Sequence, residues 1–206
     1  GIATCGTLGY VTYKCYQPEE KKLNLYFDID QTLINNMKFR ESRIRNLNKI
    51  KIYDYSFTKD DKESGYYFWK RPFAHGVLKV LSKFNNIYAY TSATKRYADD
   101  VLDNMFGDIE FKERYYRCST SKEKGKDISL IERAKDDNMK ILFDDNLNNY
   151  KNKQINYYHT KFYNGTGEVD FEMLKILGFV LLVNMIGIDN VRKTKLYEYS
   201  LLKNDK

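Results

Sequence analysis

Three short apolar runs, each ending in polar side chains, set the rhythm of the chain: Leu23–Asp28, Ile87–Tyr90 and Lys140–Phe143. Each reads as a buried strand. The first runs into Asp28 and Asp30, the second into Thr91-Ser92, the third into Asp144, Asp145 and Asn146. Helical patterns lie between them. Pro72 suits a helix start, and Val77, Leu78, Val80, Leu81 and Phe84 make an apolar stripe that Asn85-Asn86 breaks. Thr94–Phe106 is helical again, with Tyr97, Val101, Leu102 and Met105 on one side. Further on, Asp108–Arg117 is strand-like, Ser119–Gly125 is a polar loop, Ile128–Asp136 is helical and Tyr157–Phe162 is a last strand. Asp170–Ile188 is a long apolar helix with an Asp cap, and Asp189–Leu202 a final basic helix.

This alternation predicts an α/β fold with a parallel sheet flanked by helices. Right-handed crossovers put all the polar strand ends on one edge, where open α/β sheets bind their ligands. Asp28, Asp30, Thr91, Asp145 and Asn146 then meet in space. Residues 35–65 are polar, with a strand at Ile50–Phe57 and a turn at Lys59–Gly65; Gly65–Lys70 is another strand, ended by Arg71-Pro72. This pair predicts a small β insertion rather than a second domain. Residues 1–22, with a lone edge strand at Val11–Tyr16, read as an N-terminal extension, and 23–202 as a single domain.

Length and charge narrow the choice of partner. The chain has 206 residues and a formal charge of +7, which suits anionic partners such as phosphoproteins or nucleic acid. Cys5, Cys15 and Cys118 form neither a disulfide framework nor a zinc spacing, and there are only two histidines. Cys118 lacks an Arg six residues on, where Lys124 stands, so a cysteine-phosphatase loop is absent; so is a GxxxxGK[ST] loop. Ile176–Ile188, the nearest approach to a membrane span, is too short and contains Asn184. The expectation is an intracellular, soluble protein, nuclear or cytoplasmic, without a membrane partner.

Asp28, Asp30 and Thr32 alternate, so an extended chain would put them on one face. Two close carboxylates repel by about 1 to 4 kcal/mol at 4 Å, depending on the effective dielectric. They therefore imply a cation between them or a proton on one, unless the stretch is simply an acidic turn. Carboxylates and phosphate oxygens favour Mg²⁺. The set can perform phosphoryl transfer: Asp28 as nucleophile, Asp30 as acid and then base, Thr91 and Lys126 holding phosphoryl oxygens. Taken singly, Thr91 also fits a helix cap and Lys126 a solvated lysine.

The motifs carrying this chemistry resemble a known group. DIDQT is similar to the DxDxT signature of haloacid-dehalogenase-superfamily phosphatases, specifically the FCP/SCP-like (NLI-interacting-factor-like) family that acts on the C-terminal domain of RNA polymerase II. WKRPFAHGVLKVLSKF, AYTSATKRYADDVLDNMF, GKDIS, ILFDDN and FYNGTGEVDFEML resemble that family's further segments in the same order, from Leu23 to about Leu196. The resemblance implies a Rossmann-like sheet without a large cap domain and a Mg²⁺-dependent phosphoserine/phosphothreonine phosphatase. It places Thr91 at the phosphate position, Lys126 at the superfamily lysine, and Asp145 and Asn146 at the metal end of the sheet. Mg²⁺ is then held by the Asp28 side chain, the Asp30 carbonyl and Asn146. Thr32, Ser92, Tyr97 (a pocket aromatic) and Arg117 fall on the substrate side. Gln31 stands where the family has Glu, with a side chain expected to face away, and Leu147-Asn148 replace Ser-Pro. Asp144 is given no metal role, and His75 and His159 no role at all.

The leading expectation is thus a phosphatase acting on a phosphorylated protein or peptide, the polymerase tail being one example. The same chemistry on nucleic-acid ends or a small metabolite is the alternative. A non-catalytic phosphopeptide- or presequence-binding relative is a third reading, against which stand Asp28, Asp30, Thr91 and Lys126.

Overall fold

Asn24–Phe27 forms β1, a strand whose four residues are all buried, as expected for the middle of a parallel sheet covered on both faces. The computed structural model describes residues 22–38, 54–58, 65–116, 126, 139–149, 156–165, 169–194 and 201–202. The expected strand at Val11–Tyr16, loop at Ser119–Gly125 and helix at Ile128–Asp136 lie outside these residues, as does Arg117. The remaining described elements, in chain order, are β2 (Ile34–Lys38), β3 (Tyr55–Thr58), β4 (Gly65–Lys70), α1 (Ala74–Leu81), β5 (Asn86–Tyr90), α2 (Lys95–Phe106) and β6 (Glu113–Tyr115). They continue with β7 (Lys140–Asp144), a 3₁₀ turn (Leu147–Asn149), β8 (Asn156–His159), α3 (Glu172–Ile186), α4 (Ile188–Lys193) and β9 (Leu201–Leu202).

The main sheet has the order β6-β5-β1-β7-β8-β9. Its first five strands are parallel and β9 is antiparallel to β8. Register matters most for the site. Phe27 pairs with both Ala89 and Phe143, so β1, β5 and β7 run level with one another. Their next residues (Asp28, Tyr90 and Asp144) therefore arrive at one edge.

Alternation divides the core. Leu25, Phe27, Ile87, Ala89, Ile141 and Phe143 share one cluster with the buried residues of α1, α2 and α3. Tyr26, Tyr88, Tyr90, Leu142 and Tyr157 pack together on the other face. Phe27 and Phe143 stack at 4.6 Å and 9°, and Tyr26 and Tyr88 stack at 4.6 Å. Such pairs add about 0.5–1.5 kcal/mol each beyond area burial.

A second, antiparallel sheet of order β2-β4-β3 is the insertion. It has three strands rather than the expected two, because Ile34–Lys38 pairs along β4. Tyr55 of β3 donates to Asp100 of α2 at 2.6 Å, and Tyr66 and Phe68 pack against Tyr97, latching the insertion to the main domain.

The helices differ from expectation in several places. α1 begins at Ala74, not at Pro72; Phe73 precedes it in a left-handed conformation (φ 65°) and stacks on Phe171. Val80, assigned to the apolar stripe, is 40% exposed. The long basic helix over Asp189–Leu202 is not formed: Gly187 (φ 80°) ends α3, α4 stops at Lys193, and Leu201–Leu202 pairs with β8. α3 runs from Glu172 to Ile186 with Phe171, not Asp170, at its N-cap, although the Asp170 carboxylate one residue earlier accepts the Glu172 N–H at 2.9 Å.

Candidate active site

The loop after β1 carries the two aspartates. The Asp28 N–H donates to the Phe143 carbonyl at 2.9 Å, which prolongs the β1–β7 ladder to the nucleophile candidate itself. The chain then folds back: the N–H groups of Leu33 and Ile34 both donate to the Ile29 carbonyl. Gln31 takes a left-handed backbone (φ 60°) and borders the cavity, where it was expected to face away.

Beneath Asp28 lies Lys126, fully buried and paired with both Asp28 and Asp144, the latter at 2.6 Å. Asp144 is the last residue of β7. Its carboxylate also accepts the Asn146 N–H at 2.8 Å and the Asn149 side-chain amide at 2.9 Å, and its carbonyl accepts from Tyr157 and Thr160. Asp144 is therefore locked in place and anchors the lysine, which residue type alone had not suggested. The signal lay in the Asp-Asp pair: the acid still inside the strand faces the lysine.

Asp28, Asp144 and Asp145 bring carboxylate oxygens within 4.8 Å of one another, a set able to hold a metal ion. Three carboxylates face one ammonium. Burial pushes the Asp28 carboxyl well above its usual value; Lys126 pulls it back, while Asp144 and Asp30 push it further up. Burial also works against the charge on Lys126, but Asp28 and Asp144 outweigh it and hold the ammonium above the ordinary lysine value. Asp145 is raised by burial and then by Asp144.

Asp30 sits to the side. Its Oδ1 accepts from the Tyr97 hydroxyl and from the Asn36 amide, each at 2.5 Å. Burial raises this carboxyl, and those two bonds oppose the rise. Burial and the neighbouring Asp30 push the Tyr97 phenol up as well, so it remains a donor. Asn36, in the unanticipated strand β2, was not singled out in the sequence.

A cavity of about 810 Å³ opens over these groups. Asp28, Asp30, Thr91, Ser92, Tyr97, Lys126, Asp145 and Asn146 all line it, with Lys38, Tyr66 and Arg96 among the further lining residues. Thr91 is buried, and its hydroxyl accepts the Ala93 N–H at 3.1 Å. Thr32 does not line the cavity. It is fully buried, donating to Asp145 at 3.3 Å and meeting Thr160 at 3.3 Å, beneath the site and not on its substrate side. Asn146 is exposed, and its side-chain oxygen accepts the Asn148 N–H at 3.0 Å. Asp145, by contrast, is among the acids clustered with Asp28. His75 pairs with Asp108 on the surface, and His159 meets the Asp145 carbonyl at 3.0 Å. Among the described residues, no helix is long and apolar enough to cross a membrane.

Comparison with known proteins agrees with this architecture. Two solved structures share the fold. One, described as Fcp1, an essential RNA polymerase II CTD phosphatase, has a TM-score of 0.56 at 18% identity, covering 85% of this chain and 52% of that one. The other, fission yeast RNA polymerase II CTD phosphatase Fcp1-R271A bound to beryllium fluoride, has a TM-score of 0.55 at 17% identity, covering 91% and 59%. In sequence, the chain is 29% identical over 118 residues to Nuclear envelope morphology protein 1 of Saccharomyces cerevisiae (strain ATCC 204508 / S288c). That match covers 54% of this chain and 26% of the yeast protein. The family model for NLI interacting factor-like phosphatase matches residues 23–192, from the residue before β1 into α4. The chain belongs to the NLI interacting factor-like phosphatase family.

Proposed function

We propose that the protein is a Mg²⁺-dependent phosphoserine/phosphothreonine protein phosphatase that works through an aspartyl-phosphate intermediate. The observation that carries this reading is the placement of Asp28: at the end of the central strand, paired with a buried lysine, on the wall of a cavity it shares with Asp30, Thr91 and Asp145. Asp28 attacks phosphorus as the bond to the leaving oxygen breaks, and Asp30 supplies that oxygen with a proton. Asp30 then takes a proton from the water that attacks the aspartyl phosphate, which releases phosphate and restores Asp28. The Thr91 hydroxyl and the Lys126 ammonium hold the phosphoryl oxygens, while Asp144 keeps Lys126 in position.

The donor set fits a hard divalent cation: all oxygen, with more carboxylates than the one ammonium neutralises. Asp28, Asp145 and the Asp30 carbonyl would hold Mg²⁺. We favour Asp145 over Asn146 because the Asp145 carboxylate clusters with those of Asp28 and Asp144, whereas Asn146 is exposed. When bound, the ion offsets the negative charge shared by the phosphate and the aspartates. Lys38, Arg96 and Ser92 at the cavity lining suit an anionic, extended substrate such as a phosphopeptide. The polymerase-tail activity belongs to the named structural relatives, and for this chain we extend only the phosphopeptide class.

A panel of phosphopeptides beside phosphorylated oligonucleotides, each with and without Mg²⁺, tests the reading. Phosphate release from peptides only when Mg²⁺ is present, and its loss in Asp28→Asn, are expected. Release from oligonucleotides alone, or unchanged turnover in Asp28→Asn, would overturn it.

A further inference from the structure

The acid/base candidate, Asp30, is held at the cavity wall through one of its two oxygens. Two donors from different parts of the chain converge on a single oxygen: Tyr97 Oη from α2 and Asn36 Nδ2 from β2, each 2.5 Å from Asp30 Oδ1. The donors also touch each other, the Asn36 amide reaching the Tyr97 oxygen at 3.1 Å, so the three groups close a ring. No described side chain bonds Asp30 Oδ2.

Both donors are themselves fixed. Asn36 pairs with Phe68 in the β2–β4 register. The Tyr97 ring meets Tyr66 edge-on at 6.0 Å and Phe68 at 5.7 Å. The insertion is in turn tied to α2 through Tyr55 and Asp100. Phenol and amide therefore arrive pre-positioned and lose little freedom in making their bonds, which is what a supporting shell has to provide.

We infer that Tyr97 and Asn36 are positioning residues for proton transfer: they capture Oδ1 of Asp30 and leave Oδ2 as the oxygen that gives and takes the proton. This rests on the phosphatase reading above. In the first half-reaction the Oδ2–H bond breaks as the leaving oxygen gains that proton and its bond to phosphorus breaks. The negative charge left on Asp30 is received by two donors already in place. In the second half, Oδ2 takes a proton from water as the water oxygen bonds to phosphorus and the bond from phosphorus to Asp28 breaks. The insertion thereby becomes part of the catalytic apparatus, and Asn36 is its contribution.

A role in proton transfer has a signature that packing lacks. A nitrophenolate leaves almost unaided, whereas a serine alkoxide requires its proton. The ratio kcat/KM covers only steps through departure of the leaving group, so it isolates the acid step. Tyr97→Phe and Asn36→Ala, compared with wild type on nitrophenyl phosphate and on a phosphoserine peptide, should both lose kcat/KM. The loss on the phosphoserine peptide should be at least about tenfold larger than on the nitrophenyl ester, with Asp30→Asn setting the upper limit. Equal losses on the two substrates, or none, overturn the inference. Asn36→Ala removes a partly exposed side chain and serves if Tyr97→Phe is unfolded by circular dichroism. Wild-type protein inactive on both esters would overturn the phosphatase reading and this role with it. Activity abolished by Asp28→Asn, with substrate-independent losses in the other variants, would overturn this role alone.

Discussion

Two buried cations show how differently this chain treats charge. Arg71, just after β4, is 1% exposed, and so is Lys126. Around Arg71 the account balances. Its Nε donates to both Asp170 oxygens at 3.1 Å, and Nη2 reaches Asp170 at 2.9 Å. Nη1 takes the Thr32 carbonyl at 3.0 Å, and Nη2 also takes the Lys161 carbonyl at 2.5 Å. One positive group meets one negative group with bonds from all three guanidinium nitrogens, and the Asp170 carboxyl is lowered because its bonds to Arg71 and the Glu172 N–H outweigh burial. Around Lys126 negative charge is in excess: burial and the neighbouring acids raise Asp28 and Asp145, and burial raises Asp30. The first cluster is closed and structural, tying β4, the aspartate loop and the start of α3 together. The second has more carboxylates than its one ammonium offsets, and Asp28, Lys126 and Asp145 line a cavity.

The sharpest test of this contrast separates activity from stability. Asp28→Asn should lower turnover by roughly 10⁴-fold or more, the scale seen when a nucleophile is removed. It should leave the melting temperature in chelator unchanged or higher, since one of the crowded carboxylates is gone. A parallel fall in both would mean that the acidic cluster, too, is structural. The mirror experiment is Arg71→Met. It keeps bulk but strands Asp170, and should cost about 3–5 kcal/mol in urea unfolding. A loss within the error of the unfolding measurement would remove the distinction from the other side.

The two clusters were not equally legible in the sequence. Strands buried on both faces read as unbroken apolar runs, so β1, β5 and β7 were recognisable, and parallel crossovers placed Asp28, Thr91 and the later acids at one edge. Strand β2 was hidden because Asn35-Asn36 reads as loop. It forms through pairing with the aromatic strand β4, with Asn35 donating to the Asn164 carbonyl and Asn36 to Asp30. Those partners are distant in sequence, or depend on a turn whose shape no pattern gives. The choice among Asp144, Asp145 and Asn146 turned on the residue at which β7 stops, and a one-residue shift there exchanges the lysine's anchor for a cavity-lining acid. Arg71 passed as a strand terminator beside Pro72. Its partner Asp170 lies 99 positions away, and the sequence assigned that residue only to the cap of α3.

On the proposed function, the acidic cluster responds to metal where the Arg71 cluster does not. At about a hundredfold excess over its dissociation constant, Mg²⁺ should stabilise the wild-type fold by about 2.7 kcal/mol. Asp145→Asn should abolish most of that gain while raising stability in chelator slightly. Asp170→Asn should leave the increment intact, so differential scanning fluorimetry across a Mg²⁺ titration separates the two sites. An undiminished response in Asp145→Asn would move the ligand role to Asn146.

The smallest effect concerns acid. The folded carboxyl of Asp170 titrates below its ordinary value of 3.8, so the unfolded chain binds the proton more readily. The stability this supplies is complete above that ordinary value and is lost as pH falls through the folded one. Asp170→Asn should therefore be less stable than wild type at neutral pH, and the gap between the two should narrow once pH drops below about 3.8. Urea unfolding in chelator at a series of pH values measures that gap directly. Working in chelator keeps metal release from the other site out of the comparison. The acids around Lys126 are common to both proteins and cancel in the difference, so a gap that stayed constant or widened below that pH would show that Arg71 does not hold Asp170 ionised.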